Sequence, residues 1–153
     1  MSLAPPAAAA TAPRSGLQTL QEHLAAGGGP RQPIERLLGI RPIGVSPGRA
    51  VVQLTPRPDH QNGAGLLHGG VYATVLDNAC AAACYTTVPE GTRIVTTDLT
   101  VKYLRSATGD SGALTCEAEV LNRGRRHVLV QGRMTDGAGR LLAHATCTIM
   151  IVD

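Results

Sequence analysis

Between His60 and Pro89 the chain carries one formal charge, Asp77, counting histidine as neutral. Inside that segment, residues 69–85 hold no Gly or Pro after Gly70 and are mostly Ala, Val, Leu and Cys. A stretch this long and this apolar on nearly all sides predicts one long, buried helix. Everything else in the chain has to be arranged around it.

The flanking segments read as strands. Residues 40–46 and 49–55 alternate around Pro47 and Gly48, which predicts a hairpin. After a turn at Pro89-Glu90-Gly91, residues 94–104 alternate Thr with apolar residues. Strands are also predicted over 113–121, 127–135 and 141–152, with turns at 122–125 and 136–139. The last three are joined by short turns, so they are expected as antiparallel neighbours. Ahead of the first strand, Ser15 and Gln18 form a capping box for a short helix with Leu17, Leu20 and Leu24 on one face. Gly27, Gly28, Gly29 and Pro30 end it, and a helical turn runs from Pro33 towards Gly39.

The fold class is therefore α+β, an antiparallel sheet of five to six strands wrapped around one long central helix. The organisation reads as a disordered Ala/Pro-rich tail over 1–14, an N-terminal helix and Gly-rich linker over 15–33, and a main domain over 34–153. One helix cannot cover a sheet of that width, so a homo-oligomer is expected to bury the rest.

Composition narrows the function classes. The chain has 153 residues, 43% hydrophobic, with no Trp and no Phe, so the core must be built from small aliphatic side chains. A formal charge of +3 is too small to suggest nucleic acid and suits a small anionic ligand. The four cysteines, Cys80, Cys84, Cys116 and Cys147, lack C-x-x-C or metal-site spacing and read as small apolar residues kept reduced. No apolar run has the length of a membrane span, so no membrane is expected as a partner. No basic segment precedes the N-terminal alanines, so a cytoplasmic location is expected.

Asp77 breaks the local rules of its helix. Aspartate is a poor helix-interior residue, and a buried carboxylate is costly unless bonded. A structural hydrogen bond, or exposure beside Asn78, would explain it without chemistry. The helix start at His68-Gly69-Gly70 argues for more, because its N–H groups can bind an anion or a developing oxyanion. Gly69 and Asp77 are eight residues apart, about 12 Å along a helix axis. A reacting carbonyl must lie within roughly 3 Å of both kinds of group. One helix therefore cannot serve one carbonyl with both, whereas two antiparallel helices from two subunits can.

The run Asn62-Gly63-Ala64-Gly65-Leu66-Leu67-His68-Gly69-Gly70, followed by Leu76-Asp77-Asn78, resembles the hotdog-fold thioesterases of the PaaI-like, phenylacetate-degradation type. The similarity extends from about residue 34 to 153. It implies a hotdog fold and hydrolysis of an acyl-CoA substrate by a dimer or dimer of dimers, with sites at subunit interfaces. It also implies roles: Asp77 activates water or attacks the thioester, the Gly69 N–H polarises the carbonyl, Asn62 positions thioester or water, and Thr96 helps hold the water. His68 is expected mainly to organise its loop. The Asp in place of a longer Glu favours the water route, and Ala81 stands where some relatives carry a helpful Thr.

For the coenzyme, the resemblance points to two segments: Tyr103, Leu104, Arg105 and Ser106, and Asn122, Arg123, Gly124, Arg125 and Arg126. Guanidinium groups suit phosphate, although a solvated basic hairpin is the plain alternative. No cofactor is expected, because coenzyme A is part of the substrate, and no metal ligand set is evident. No G-x-S-x-G or Walker loop occurs. The alternative function is a non-catalytic acyl-CoA binder or sensor on the same fold. An acyl hydratase usually requires a different His/Asp arrangement.

Overall fold

The computed structural model describes residues 13–152. Residues 1–12 of the tail expected over 1–14 lie outside them, but Arg14 at its end is tied down. Its carbonyl accepts the Glu90 N–H and its guanidinium pairs with Glu22 and Glu90.

Two short helices come first, α1 (Gly16–Ala25) and α2 (Pro33–Leu38). The Ser15/Gln18 capping box forms on α1. Strands β1 (Arg41–Ser46) and β2 (Arg49–Leu54) make the hairpin, with Gly48 in the left-handed region at its tip. Helix α3 (Gly69–Tyr85) follows, then β3 (Arg93–Tyr103), β4 (Leu114–Arg123), β5 (His127–Thr135) and β6 (Leu141–Val152). The six strands form one antiparallel sheet in the order β1-β2-β4-β5-β6-β3. This is the hotdog architecture, with α3 as the filling. Among the described residues, no helix is long and apolar enough to cross a membrane.

The aromatic-poor composition has a packing consequence. Leu76, Ala79, Cys80 and Ala83 present the buried face of α3 to the sheet. Opposite them lies Gly132 of β5, where an added Cβ would sit 3.1 Å from Leu76 Cδ2 and 3.2 Å from Cys80 Sγ. Small residues on both sides let helix and sheet approach closely, so core density is kept without large rings. All four cysteines are free and buried.

Two expectations need adjustment. The turn predicted over 122–125 starts later, because Asn122 and Arg123 still pair with Leu129 and Val128 across a bulge after Val120. The bulge absorbs one residue, Leu121, and lengthens the strand. Helix α3 is also less enclosed than its composition suggests. Gly70, Thr74, Asp77, Ala81 and Tyr85, spaced by one helical turn, form a stripe that the chain's own sheet leaves partly open.

The two sheet edges differ. Strand β1 carries Pro42 and a bulge next to it, and α1 lies against it. These are devices that blunt an edge. Strand β3 is long, has no proline, and pairs only with β6 among the described residues.

Candidate active site

Helix α3 places Asp77 on its open stripe, and β3 brings Thr96 to it. The Thr96 hydroxyl donates to Asp77 Oδ1 at 2.7 Å, and no other described residue bonds to that carboxylate. The pairing results from strand register. Inward-facing residues alternate along β3, and a bulge between Thr96 and Asp98 resets that alternation beside the helix.

Two turns back, the start of α3 is built from local bonds. His68 is the N-cap, and its Nδ1 accepts the Gly70 N–H at 2.9 Å. The Val71 N–H goes to the His68 carbonyl. The Gly69 N–H between them has no acceptor among the described residues. The Gly69 carbonyl accepts the Tyr103 hydroxyl at 3.0 Å, and the Tyr72 hydroxyl donates to the Arg105 carbonyl at 3.2 Å. Rings 72 and 103 meet edge to face at 5.8 Å. Asn62 Oδ1 accepts the Ala64 and Leu66 N–H groups, which fixes its loop and leaves its amide nitrogen for other contacts.

Asn62, Gly69, Tyr103, Leu104, Arg105 and Ser106 line one shallow concavity of about 340 Å³. Asp77 is not part of its wall. Nor is the second basic segment. Tyr103 pairs near the start of β6, at Ala143, and His127 near its end, at Met150. Seven strand residues separate those positions, about 23 Å. Within one chain, segments 103–106 and 122–126 therefore lie at opposite ends of the sheet. Arg123 turns back onto the Gly124 carbonyl, while Arg125 and Arg126 are exposed on the hairpin.

A second cavity, of about 430 Å³, lies between α1, α2, β1, β2 and α3, and Asp77 is not part of its wall either. Ala81, one turn beyond Asp77, lines it, as does Ile94, two residues before Thr96. Asn78 also lines it and donates from Nδ2 to Glu35 Oε1 at 3.0 Å in a nearly dry setting. Sequence reasoning did not single out Tyr72, Asn78 or Glu35. A carboxylate in a helix of six residues carries no signal of burial by itself.

Two of the buried thiols are disfavoured as nucleophiles. Burial pushes the Cys84 thiol up to about 11, and the bond to Cys147, with burial, pushes Cys80 higher still. Such thiols are poor nucleophiles at neutral pH. Among the described residues, no three His, Cys, Asp or Glu side chains are placed to hold a metal ion.

The thioesterase superfamily model matches residues 64–143, which span the start of α3, Asp77 and Thr96. The chain belongs to the thioesterase superfamily. It is a thioester hydrolase by that membership and by its relatives. Acyl-coenzyme A thioesterase 13 of Homo sapiens is 32% identical over 117 residues, covering 74% of this chain and 81% of that protein. The 1,4-dihydroxy-2-naphthoyl-CoA hydrolase of Listeria monocytogenes is 25% identical, covering 77% and 94%. Among solved structures, a thioesterase family protein of Silicibacter pomeroyi superposes with a TM-score of 0.77 at 26% identity, covering 90% and 98%. The PaaI protein of the E. coli phenylacetic acid degradation operon shares the fold, with a TM-score of 0.77 at 22% identity, covering 90% and 94%. This thioesterase thus carries the lone carboxylate of α3 inside the matched region.

Proposed function

We propose that this thioesterase hydrolyses acyl-CoA esters at sites shared between two copies of the chain. One observation carries the reading. Asp77, oriented by Thr96, and the unaccepted Gly69 N–H sit on one helix about 12 Å apart. Two α3 helices running antiparallel across their open stripes bring Gly69 of one copy opposite Asp77 of the other. Pairing of the long, proline-free β3 edges would hold them so. The same twofold relation carries segment 122–126 of one copy towards segment 103–106 of the other. The two basic segments, separate in one chain, then frame one coenzyme.

In this site the thioester carbonyl takes the Gly69 N–H, which is worth most as negative charge develops on oxygen. Thr96 holds Asp77 Oδ1, and Oδ2 removes a proton from water as it attacks the carbonyl carbon. The tetrahedral adduct collapses to the free acid and expels the coenzyme A thiolate, which takes up the proton held by Asp77 and leaves as the thiol. Water is the only co-reactant, so no cofactor enters. The Asn62 amide orients the thioester, and His68 keeps the N-terminal turn in shape. The 430 Å³ cavity beside Ala81 and Ile94 receives the acyl group. A cytoplasmic setting keeps the four thiols reduced.

A thiol-release assay over a panel of acyl- and aryl-CoA esters tests the reading. Asp77→Asn should lower kcat by about 10²- to 10⁴-fold, the usual worth of a positioned base. Equal slow release by wild type and variant, or binding of CoA esters without turnover, would sink it.

A further inference from the structure

Helix α3 opens with two glycines, and the Gly69 N–H is the donor offered to the thioester oxygen. Neither Gly69 nor Gly70 has a Cβ to restrict its dihedrals, so the direction of that N–H is fixed only if other groups hold the turn. Two peptide units flank Gly69. In the first, the His68 carbonyl accepts the Val71 N–H at 2.9 Å. The second, which joins Gly69 to Gly70, is held at both ends. The Gly70 N–H donates to His68 Nδ1 at 2.9 Å, and the Gly69 carbonyl accepts the Tyr103 hydroxyl at 3.0 Å. His68 and Val71 belong to the turn itself and move with it. Tyr103 lies 34 residues away at the end of β3. Among the described residues, its bond is the one that ties these two peptide units to the sheet.

Tyr103 is itself held in place. Its ring meets Tyr72 edge to face at 5.8 Å, and its Cζ and Oη lie 3.6 Å from where a Cβ on Gly69 would stand. The ring is half-exposed and lines the 340 Å³ concavity with Asn62 and Gly69. A coenzyme contact would account for the ring. It does not account for the hydroxyl, which is turned inwards onto the helix backbone.

We propose that Tyr103 is a positioning residue for thioester hydrolysis, whose hydroxyl clamps the Gly69–Gly70 peptide and so aims the Gly69 N–H at the thioester oxygen. The proposal rests on the thioesterase reading above. It adds a side chain that acts on the oxyanion through the backbone.

Tyr103→Phe in the full chain tests it, with a CoA ester that the wild type hydrolyses. The variant keeps the ring and loses one hydroxyl. Its kcat should fall about 10-fold, part of the roughly 10²- to 10³-fold worth of an oxyanion donor. KM should stay within about 2-fold, because the ring remains in the concavity. In a Gly69→Pro background the same change should cost less than about 2-fold, since the N–H that it orients is gone. Two independent losses would multiply instead. The kcat and KM of the single variant decide even if Gly69→Pro turns over too slowly to read. An unchanged kcat overturns the proposal, as does a rise in KM alone, which would make the hydroxyl a coenzyme contact. A further loss of about 10-fold in the Gly69→Pro background overturns it too, because the hydroxyl would then act on something other than that N–H. Each of these outcomes leaves the thioesterase reading standing. No hydrolysis of any CoA ester by the wild type overturns both.

Discussion

At the residue scale, the N-terminal residue of α3 offers a clean test of the oxyanion donor. Gly69 is the first residue of the helix, preceded by His68 at φ −65° and ψ 135°. That backbone suits a residue before proline, and proline is well tolerated at a first helical position. A Cβ at Gly69 would meet Tyr103 at 3.6 Å, an ordinary contact. Gly69→Pro should therefore keep the fold and delete one N–H. The expected cost is about 10²- to 10³-fold in kcat, as for loss of a single oxyanion donor. Steady-state kinetics with an unchanged far-UV spectrum would show it, and full activity would remove Gly69 from the mechanism. Asp77 was legible as a lone charge in an apolar segment. Its bond to Thr96 was not legible in that segment's composition, because it joins two elements whose contact depends on register.

At the scale of elements, two features carry stability predictions. The first is the close contact of α3 with β5. Gly132→Val pushes a branched side chain into Leu76 Cδ2 and Cys80 Sγ. Overpacking of this kind costs about 1–3 kcal/mol, so thermal unfolding should show a clear drop in Tm. The second is the loop between β2 and α3, which carries Asn62 and His68. Buried His60 braces it, since its Nδ1 accepts the Arg57 N–H and its carbonyl accepts the His68 N–H. Burial, with the nearby Arg57 charge, holds the His60 pKa below its ordinary 6.5. The unfolded chain then binds more protons than the folded one below about pH 6.5. Stability present above that pH is lost as pH falls towards the depressed folded value. Tm should fall between pH 7 and pH 5 in the wild type and fall less steeply in His60→Gln. Equal slopes would remove His60 as the cause.

At the scale of the whole molecule, the shared site has a signature that no single-chain site can give. Asp77→Asn and Gly69→Pro proteins are each expected to be nearly inactive. Denatured together in equal amounts and refolded, they form mixed dimers in which one of the two sites has both groups intact. Random pairing makes half the dimers mixed, so about one quarter of wild-type activity should return. No recovery, in a mixture shown by mass to contain dimers, would place Gly69 and Asp77 outside a common site.

The sequence by itself determined the elements. Period-two alternation marked the strands, the uncharged segment marked α3, and Gly and Pro marked the turns, because these signals act over a few residues. It also carried the family motif from Asn62 to Asp77, which is contiguous. Only the tertiary structure decided the strand order, which puts β3 at an edge, and the register that sets Thr96 against Asp77. It alone separated the two basic segments to opposite ends of the sheet and buried Glu35 against Asn78. Pairings between distant segments depend on which surfaces pack best once the whole chain is assembled, and a local pattern does not encode that choice.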